Sequence, residues 1–123
     1  MDEQDRMTRV KALTCSGCPN AHTRRRVVYG EGDVNARVML VGQGPGAVEE
    51  EMGCPFVGPA GALLDRMLAE VSLQREKLWI TNLIKCRTVK EEKRRLVDRA
   101  PLAAEIKACR PWLEGELEIL QMD

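Results

Sequence analysis

The chain has 123 residues, room for one small domain, and its 19 basic and 19 acidic residues cancel. Net charge therefore selects neither a nucleic-acid nor a membrane partner; only local clustering could. No apolar run approaches the roughly 18 residues of a membrane span, and the polar start MDEQDRMTRVK has no signal-peptide core, so the expected setting is cytoplasmic, with no membrane.

Residues 1–14 read as a polar helix or frayed tail with Met7, Val10 and Leu13 on one face. Cys15-Ser16-Gly17-Cys18-Pro19 is a tight turn, Val27-Val28-Tyr29 an extended piece, and Gly30-Glu31-Gly32-Asp33 a second turn. Val38–Val41 is the first clear strand, and its unbroken apolar character suits a parallel strand covered on both faces. It ends in Gly42-Gln43-Gly44-Pro45-Gly46, followed by Glu49, Glu50 and Gly53-Cys54-Pro55-Phe56-Val57-Gly58. Gly61–Val71 has helical spacing through Leu64, Met67, Leu68 and Val71, and Leu78–Leu83 is the next strand. Strand, helix and strand in this order predict a βαβ unit with a parallel sheet.

Lys85–Arg99 is charge-rich and reads as a loop. Pro101 opens a last helix whose stripe Leu102, Ile106, Cys109, Leu113, Leu117 and Leu120 turns Cys109 inward, with Pro111 expected to kink or restart it. Two strands and two or three helices make a thin α/β domain, the front half of something larger, since open parallel sheets need more strands to bury both faces.

Five cysteines in a reduced compartment suggest metal or redox chemistry before disulfides. Cys15 and Cys18 have the spacing with which two thiolates grip one metal, and Cys86 and the inward Cys109 would complete four ligands. Spacing does not separate zinc from a [4Fe–4S] cluster, and the plainer alternative makes Cys86 and Cys109 ordinary core cysteines. Cys54 reads as a pocket or packing residue, and His22 as a surface residue. The glycine loop lacks the Lys-Ser/Thr of a phosphate-binding loop, and Pro45 breaks a dinucleotide fingerprint. Taken singly, Phe56 would be core, Glu49–Glu51 a solvated acidic face, and Asn82 a turn residue.

Taken jointly, GQGPGAVEEEMGCPFVGPAGALLDRML, LWITNLIKCR and AEIKACRPWLEGEL closely resemble the family 4 uracil-DNA glycosylases. The resemblance runs from about Cys15 to Leu120 and covers the N-terminal part of that family's domain. It implies a partial three-layer α/β/α fold with a short parallel sheet, uracil-DNA glycosylase-like, over residues 1–123. It also implies hydrolysis of the N-glycosidic bond of deoxyuridine in single- or double-stranded DNA. Cys15, Cys18, Cys86 and Cys109 match the ligands of a structural [4Fe–4S] cluster, with zinc as the alternative.

By the same resemblance, Gly42, Gly44, Pro45 and Gly46 form the loop that approaches the base. Gln43 stands where the family usually has Glu, and an amide is no base. Glu49 matches a retained acid in the pocket loop, so Gln43 and Glu49 are the catalytic candidates. Phe56 matches the aromatic that stacks on uracil, and Asn82 the amide that offers donor and acceptor to its edge. These residue types suit the chemistry, because an extruded base is held by stacking and edge hydrogen bonds. Bond cleavage leaves positive charge on the sugar and negative charge on the uracil, which fixed charges and donors stabilise.

The family's later histidine motif has no counterpart here, and Thr88–Pro101 departs from its usual Pro-rich segment. The expectation is that a C-terminal half or a second polypeptide completes the fold. The competing reading is a non-catalytic iron–sulfur or zinc module; a nucleotide-binding α/β domain is disfavoured by the missing Lys-Ser/Thr. Lys90, Lys93, Arg94 and Arg95 are placed in a solvated loop rather than on phosphates.

Overall fold

A computed structural model describes residues 3–13 and 26–121. Its elements are α1 (Glu3–Lys11), β1 (Glu31–Gly32), β2 (Met39–Gly42), α2 (Ala47–Met52), α3 (Pro59–Glu70), β3 (Trp79–Asn82), β4 (Val89–Glu92), β5 (Arg95–Asp98) and α4 (Ala103–Ile119). β3 is the centre of a three-stranded sheet of order β1-β3-β2, and all four of its residues are buried. β2 runs parallel to it in the register Met39↔Trp79, Leu40↔Ile80, Val41↔Thr81 and Gly42↔Asn82.

Side chains alternate across a strand, so each face of β2–β3 collects its own core. Trp79 packs with Val10, Val34, Ala36, Ile119 and Leu120, and Met7, Leu13 and Met39 lean on that cluster from α1, the segment after it and β2. On the other face Ile80 packs with Leu68 and Leu78, backed by Leu40, Phe56 and Leu64. The sheet is thus covered by α1 and α4 on one side and α3 on the other, the expected mixed α/β layering with a parallel β2–β3 pair.

Several local expectations are corrected. Gly30–Asp33 is not a free turn: Glu31 and Gly32 pair antiparallel with Ile80 and Trp79. Gly32 takes φ +127°, and a Cβ there would meet the Leu78 carbonyl, so glycine lets the chain lie against β3. Lys85–Arg99 is not a loop, because β4 and β5 form an antiparallel hairpin whose last register pair is Glu92↔Arg95. The helix α4 passes through Pro111 without restarting. Pro111 is exposed, and so is Lys107, whose carbonyl loses its helical N–H partner, so the gap lies on the outer face of the helix.

The buried stripe of α4 is also rotated from the apolar one: Glu105, Cys109, Trp112, Glu116 and Ile119 are buried, while Leu102 is exposed. Cys109 still points inward. Glu116 is tolerated because Trp79 Nε1 and Thr81 Oγ1 donate to it at 3.0 and 3.1 Å and the buried Lys85 ammonium pairs with it. Lys85 also donates to Thr81 Oγ1 at 2.7 Å and to the carbonyl of Asn82. A buried ion pair survives only when its remaining donors and acceptors are satisfied in this way.

Candidate active site

The parallel register brings the carboxyl ends of β2 and β3 side by side, the usual place for a ligand crevice in an α/β sheet. The chain leaves β2 at Gly42 and turns across the end of β3, where Leu83 N–H and Ile84 N–H donate to the carbonyls of Gly42 and Gln43 at 2.8 and 3.0 Å. This turn opens a cleft of about 440 Å³, lined by Gln43, Gly44, Pro45, Gly46, Glu49, Phe56 and Asn82, together with Thr88, Asp98 and Arg99. That volume is in the range of small-molecule sites.

Gly42 is the floor on which the site is assembled. A Cβ there would lie 2.4 Å from Phe56 Cζ and 2.5 Å from Asn82 Oδ1. The aromatic edge and the carboxamide therefore converge over one residue that has no side chain. Asn82 is buried, and its carboxamide makes no hydrogen bond with the described residues; its main-chain carbonyl is gripped by Lys85.

Phe56 has φ +53°, an uncommon conformation for a bulky side chain. Two contacts impose it. The Arg75 guanidinium donates to the carbonyl of Phe56 at 2.7 Å and to that of Pro55, while also reaching Asp65 at 3.1 Å. At Gly61 a Cβ would fall 1.9 Å from the Phe56 oxygen, so α3 approaches the loop as closely as glycine allows.

Glu49 lies in the cleft wall, and both of its oxygens are engaged. Oε1 accepts the Gly46 N–H at 3.0 Å, and Oε2 accepts the N–H groups of Val57 and Gly58 at 3.0 and 2.7 Å. Burial pushes its carboxyl up, but the amides of Gly58, Glu49 itself, Gly46 and Val57 outweigh that and hold it below its ordinary value. Glu49 is thus an ionised brace tying the glycine loop to the Phe56 loop. Gln43 lies on the exposed lip of the same cleft.

Cys86 and Cys109 are both buried, and Lys85 N–H donates to Cys109 Sγ at 3.3 Å, so Cys109 abuts the backbone next to Cys86. Trp112, one turn further along α4, has a buried indole N–H without a partner among the described residues. These two sulfurs are what the described residues supply toward the expected four-cysteine site; among the described residues no group of three or more His, Cys, Asp or Glu side chains is placed to hold a metal. Cys15, Cys18 and His22 lie outside the described residues. Cys54 does not line the cleft, and burial followed by Glu31 raises its thiol pKa, which suits a packing thiol rather than a ligand.

Sequence reasoning missed Thr88, Asp98 and Arg99 as cleft residues. Arg99 is a cornerstone: it pairs bidentately with Glu105 at 2.7 and 2.8 Å and donates to the Val89 carbonyl at 2.9 Å. The sequence offered no signal for it: Glu105 lies off the apolar stripe of α4, and only its burial in the structure calls for a cationic partner.

The family model of the uracil DNA glycosylase superfamily matches residues 29–123. The chain belongs to the uracil-DNA glycosylase superfamily. Superfamily relatives include a type-4 uracil-DNA glycosylase of Thermotoga maritima, 39% identical over 89% of the chain and 53% of that relative. One from Archaeoglobus fulgidus is 36% identical over 98% of the chain and 57% of the relative. A type-5 uracil-DNA glycosylase of Thermus thermophilus is 32% identical over 77% of the chain and 46% of the relative. The chain spans about half the length of these superfamily members. Among the described residues, no helix is long and apolar enough to cross a membrane.

Proposed function

We propose that this chain carries the base-reading part of a DNA-repair uracil-DNA glycosylase. The observation that carries the reading is the convergence of the Phe56 ring and the Asn82 carboxamide over Gly42 at the paired ends of β2 and β3. An extruded uracil would stack on Phe56, and the Asn82 amide would pair with its edge, separating a uracil carbonyl from a cytosine amino group. Gly44, Pro45 and Gly46 shape the wall beside it.

In the reaction, water supplies oxygen to the sugar C1′ as the N-glycosidic bond breaks, uracil leaves with the bonding electrons, and the proton that water gives up passes through solvent to the departing uracil. The ionised Glu49 faces the sugar side with a fixed negative charge, while its hydrogen bonds keep the loop from moving. Gln43 at the lip orients water or a leaving-group oxygen through its amide and takes no proton.

Cys86 and Cys109, with Cys15 and Cys18, would hold a [4Fe–4S] cluster, zinc being the alternative. The described residues flanking the Cys15–Cys18 segment support this: Leu13 packs close to Gly115 of α4, and Val28 N–H donates to the Lys85 carbonyl at 2.7 Å. Both ends therefore rest on the elements that carry Cys86 and Cys109. The cluster's contribution is structural, tying the N-terminal segment to α4. A cytoplasmic setting keeps these thiols reduced.

β2 is an edge strand, and Val38 and Val41 are about half exposed beside its open side. A C-terminal half or a second polypeptide would complete the sheet there, as an unpaired apolar edge invites. The deciding experiment is release of uracil from a single-stranded uracil oligonucleotide, alone and with a completing polypeptide. Release that is abolished by Asn82→Ala supports the reading. Cluster binding without release under either condition leaves the non-catalytic metal module.

A further inference from the structure

We infer that the β4–β5 hairpin is a phosphate-gripping arm that engages the DNA strand flanking the nucleotide in the cleft. The inference rests on the uracil-pocket reading for the identity of that strand. It starts from a cost. The hairpin turns through Lys93 and Arg94, both with positive φ, at 51° and 64°. A two-residue turn of this kind favours Asn-Gly, because long side chains resist the left-handed region. Two consecutive cations have been placed where neutral residues would fold better.

The hairpin is not held out by packing. Every residue from Lys90 to Leu96 is exposed, and only Val89 and Val97 are half-buried. An isolated two-stranded hairpin is marginal in water. Its root, however, is firm: Thr88 Oγ1 donates to the Arg99 carbonyl at 2.7 Å, Arg87 pairs with Asp98 at 2.7 Å, and Arg99 is locked to Glu105. Thr88, Asp98 and Arg99 at that root are also cleft wall. The arm therefore springs from the pocket itself.

Its charges are arranged for an outside partner. Lys90 lies 3.5 Å from Glu92, a local pair. Lys93, Arg94 and Arg95 have no ion-pair partner among the described residues, and Leu96 is 61% exposed next to them. At ~3.4 Å per strand residue the tip lies about 14 Å from the root, so a strand leaving the cleft along the hairpin brings several phosphates past three cations. Such contacts position a strand without reading its sequence. The cleft's own ligand is one unit of a polyanion, which favours a nucleic-acid strand over an acidic protein.

The test replaces the tip by a neutral turn, Lys93→Asn with Arg94→Gly, which should strengthen the hairpin while removing its charge. Binding of a uracil-free thymidine oligonucleotide is followed by fluorescence anisotropy across a salt series, and free uracil binding is measured in parallel. Loss of two single-strand phosphate contacts lowers the slope of log K against log salt by about 1.4, with weaker binding at low salt and unchanged free-uracil affinity. Adding Arg95→Gln lowers the slope by about 2 in total. An unchanged slope and affinity in both variants overturns the arm. A lowered slope in a chain that does not bind free uracil upholds the arm and rejects the pocket reading instead. Equal competition by polyglutamate at matched charge rejects nucleic acid as its partner.

Discussion

Arg75 holds Phe56 from behind: its guanidinium donates to the carbonyl of Phe56 at 2.7 Å while also binding that of Pro55. The aromatic ring owes its place over Gly42 to a cation that never reaches the cleft, since Arg75 is absent from its walls.

Replacing Arg75 by Ala should therefore disorder the ring without unfolding the sheet. Phe56 is the only phenylalanine in the chain, so 4-fluorophenylalanine gives a single fluorine resonance that reports on it. The wild-type line should be narrow, and it should broaden or split in the variant, with Arg75→Lys intermediate. A line identical in width and position in all three proteins would sink the idea.

Gly42 leaves no room for a methyl group, which would come within 2.4 Å of the Phe56 ring and 2.5 Å of Asn82 Oδ1. Gly42→Ala should displace one or both and weaken uracil binding at least tenfold, while Gly44→Ala, whose Cβ would meet only Ile84 at 3.6 Å or beyond, should be mild. Calorimetric titration with uracil compares the two; equal losses would contradict the geometry.

The Glu49 carboxyl is depressed below its ordinary value of 4.5 because, against the cost of burial, the amides of Gly58, Glu49, Gly46 and Val57 stabilise its charge. A group lowered on folding contributes stability that is fully present above its unfolded pKa and is lost as pH falls through the folded value. Wild type should thus exceed Glu49→Gln in denaturant midpoint at neutral pH, with the gap closing as pH drops below 4.5. A gap independent of pH would show that the contribution is not ionic.

Lys85 and Glu116 are fully buried and paired. Lys85→Met alone leaves a buried carboxylate without its cation and should cost about 3–5 kcal/mol in urea unfolding, whereas Lys85→Met with Glu116→Leu should recover much of that loss. The single variant should also loosen Asn82, whose carbonyl loses its donor. If both variants are equally destabilised, the packing and not the ion pair is what matters.

Cys109→Ala should remove one sulfur from the site beside Cys86. Anaerobically purified wild-type protein is expected to be brown, with a broad visible band that the variant loses together with thermal stability. A colourless wild type with stoichiometric zinc would replace the cluster by zinc at the same four cysteines.

The sequence was most legible where one residue type has one physical role. The apolar run at Val38–Val41 lies within one residue of β2, and the 3.6-residue spacing from Leu64 to Val71 identified α3, although Met67 and Val71 are exposed. Phe56, Asn82 and the glycine loop were placed at one site, and the cleft contains all of them except Gly42, which lies beneath. Three kinds of feature escaped. The hairpin did, because Lys93-Arg94 carries none of the Asn-Gly signal its turn requires. The polar interior did too: Lys85 falls in the charge-rich stretch expected to be a loop, nothing in the sequence singles out Glu116, and only their mutual contact makes the two buriable. The bracing of Glu49 escaped as well, because its partners Val57 and Gly58 lie eight and nine residues on, beyond any local pattern.

The register Gly42↔Asn82 has a final implication. The position of the Asn82 amide over Gly42 is set by main-chain pairing between two strands, and a shift by a single residue would put Thr81 or Leu83 beside Gly42 in its place. In the proposed pocket, telling one base from another would thus depend on strand register as well as on which side chain stands at position 82, so a change remote from the cleft that slips the pairing would remove it without touching a pocket residue.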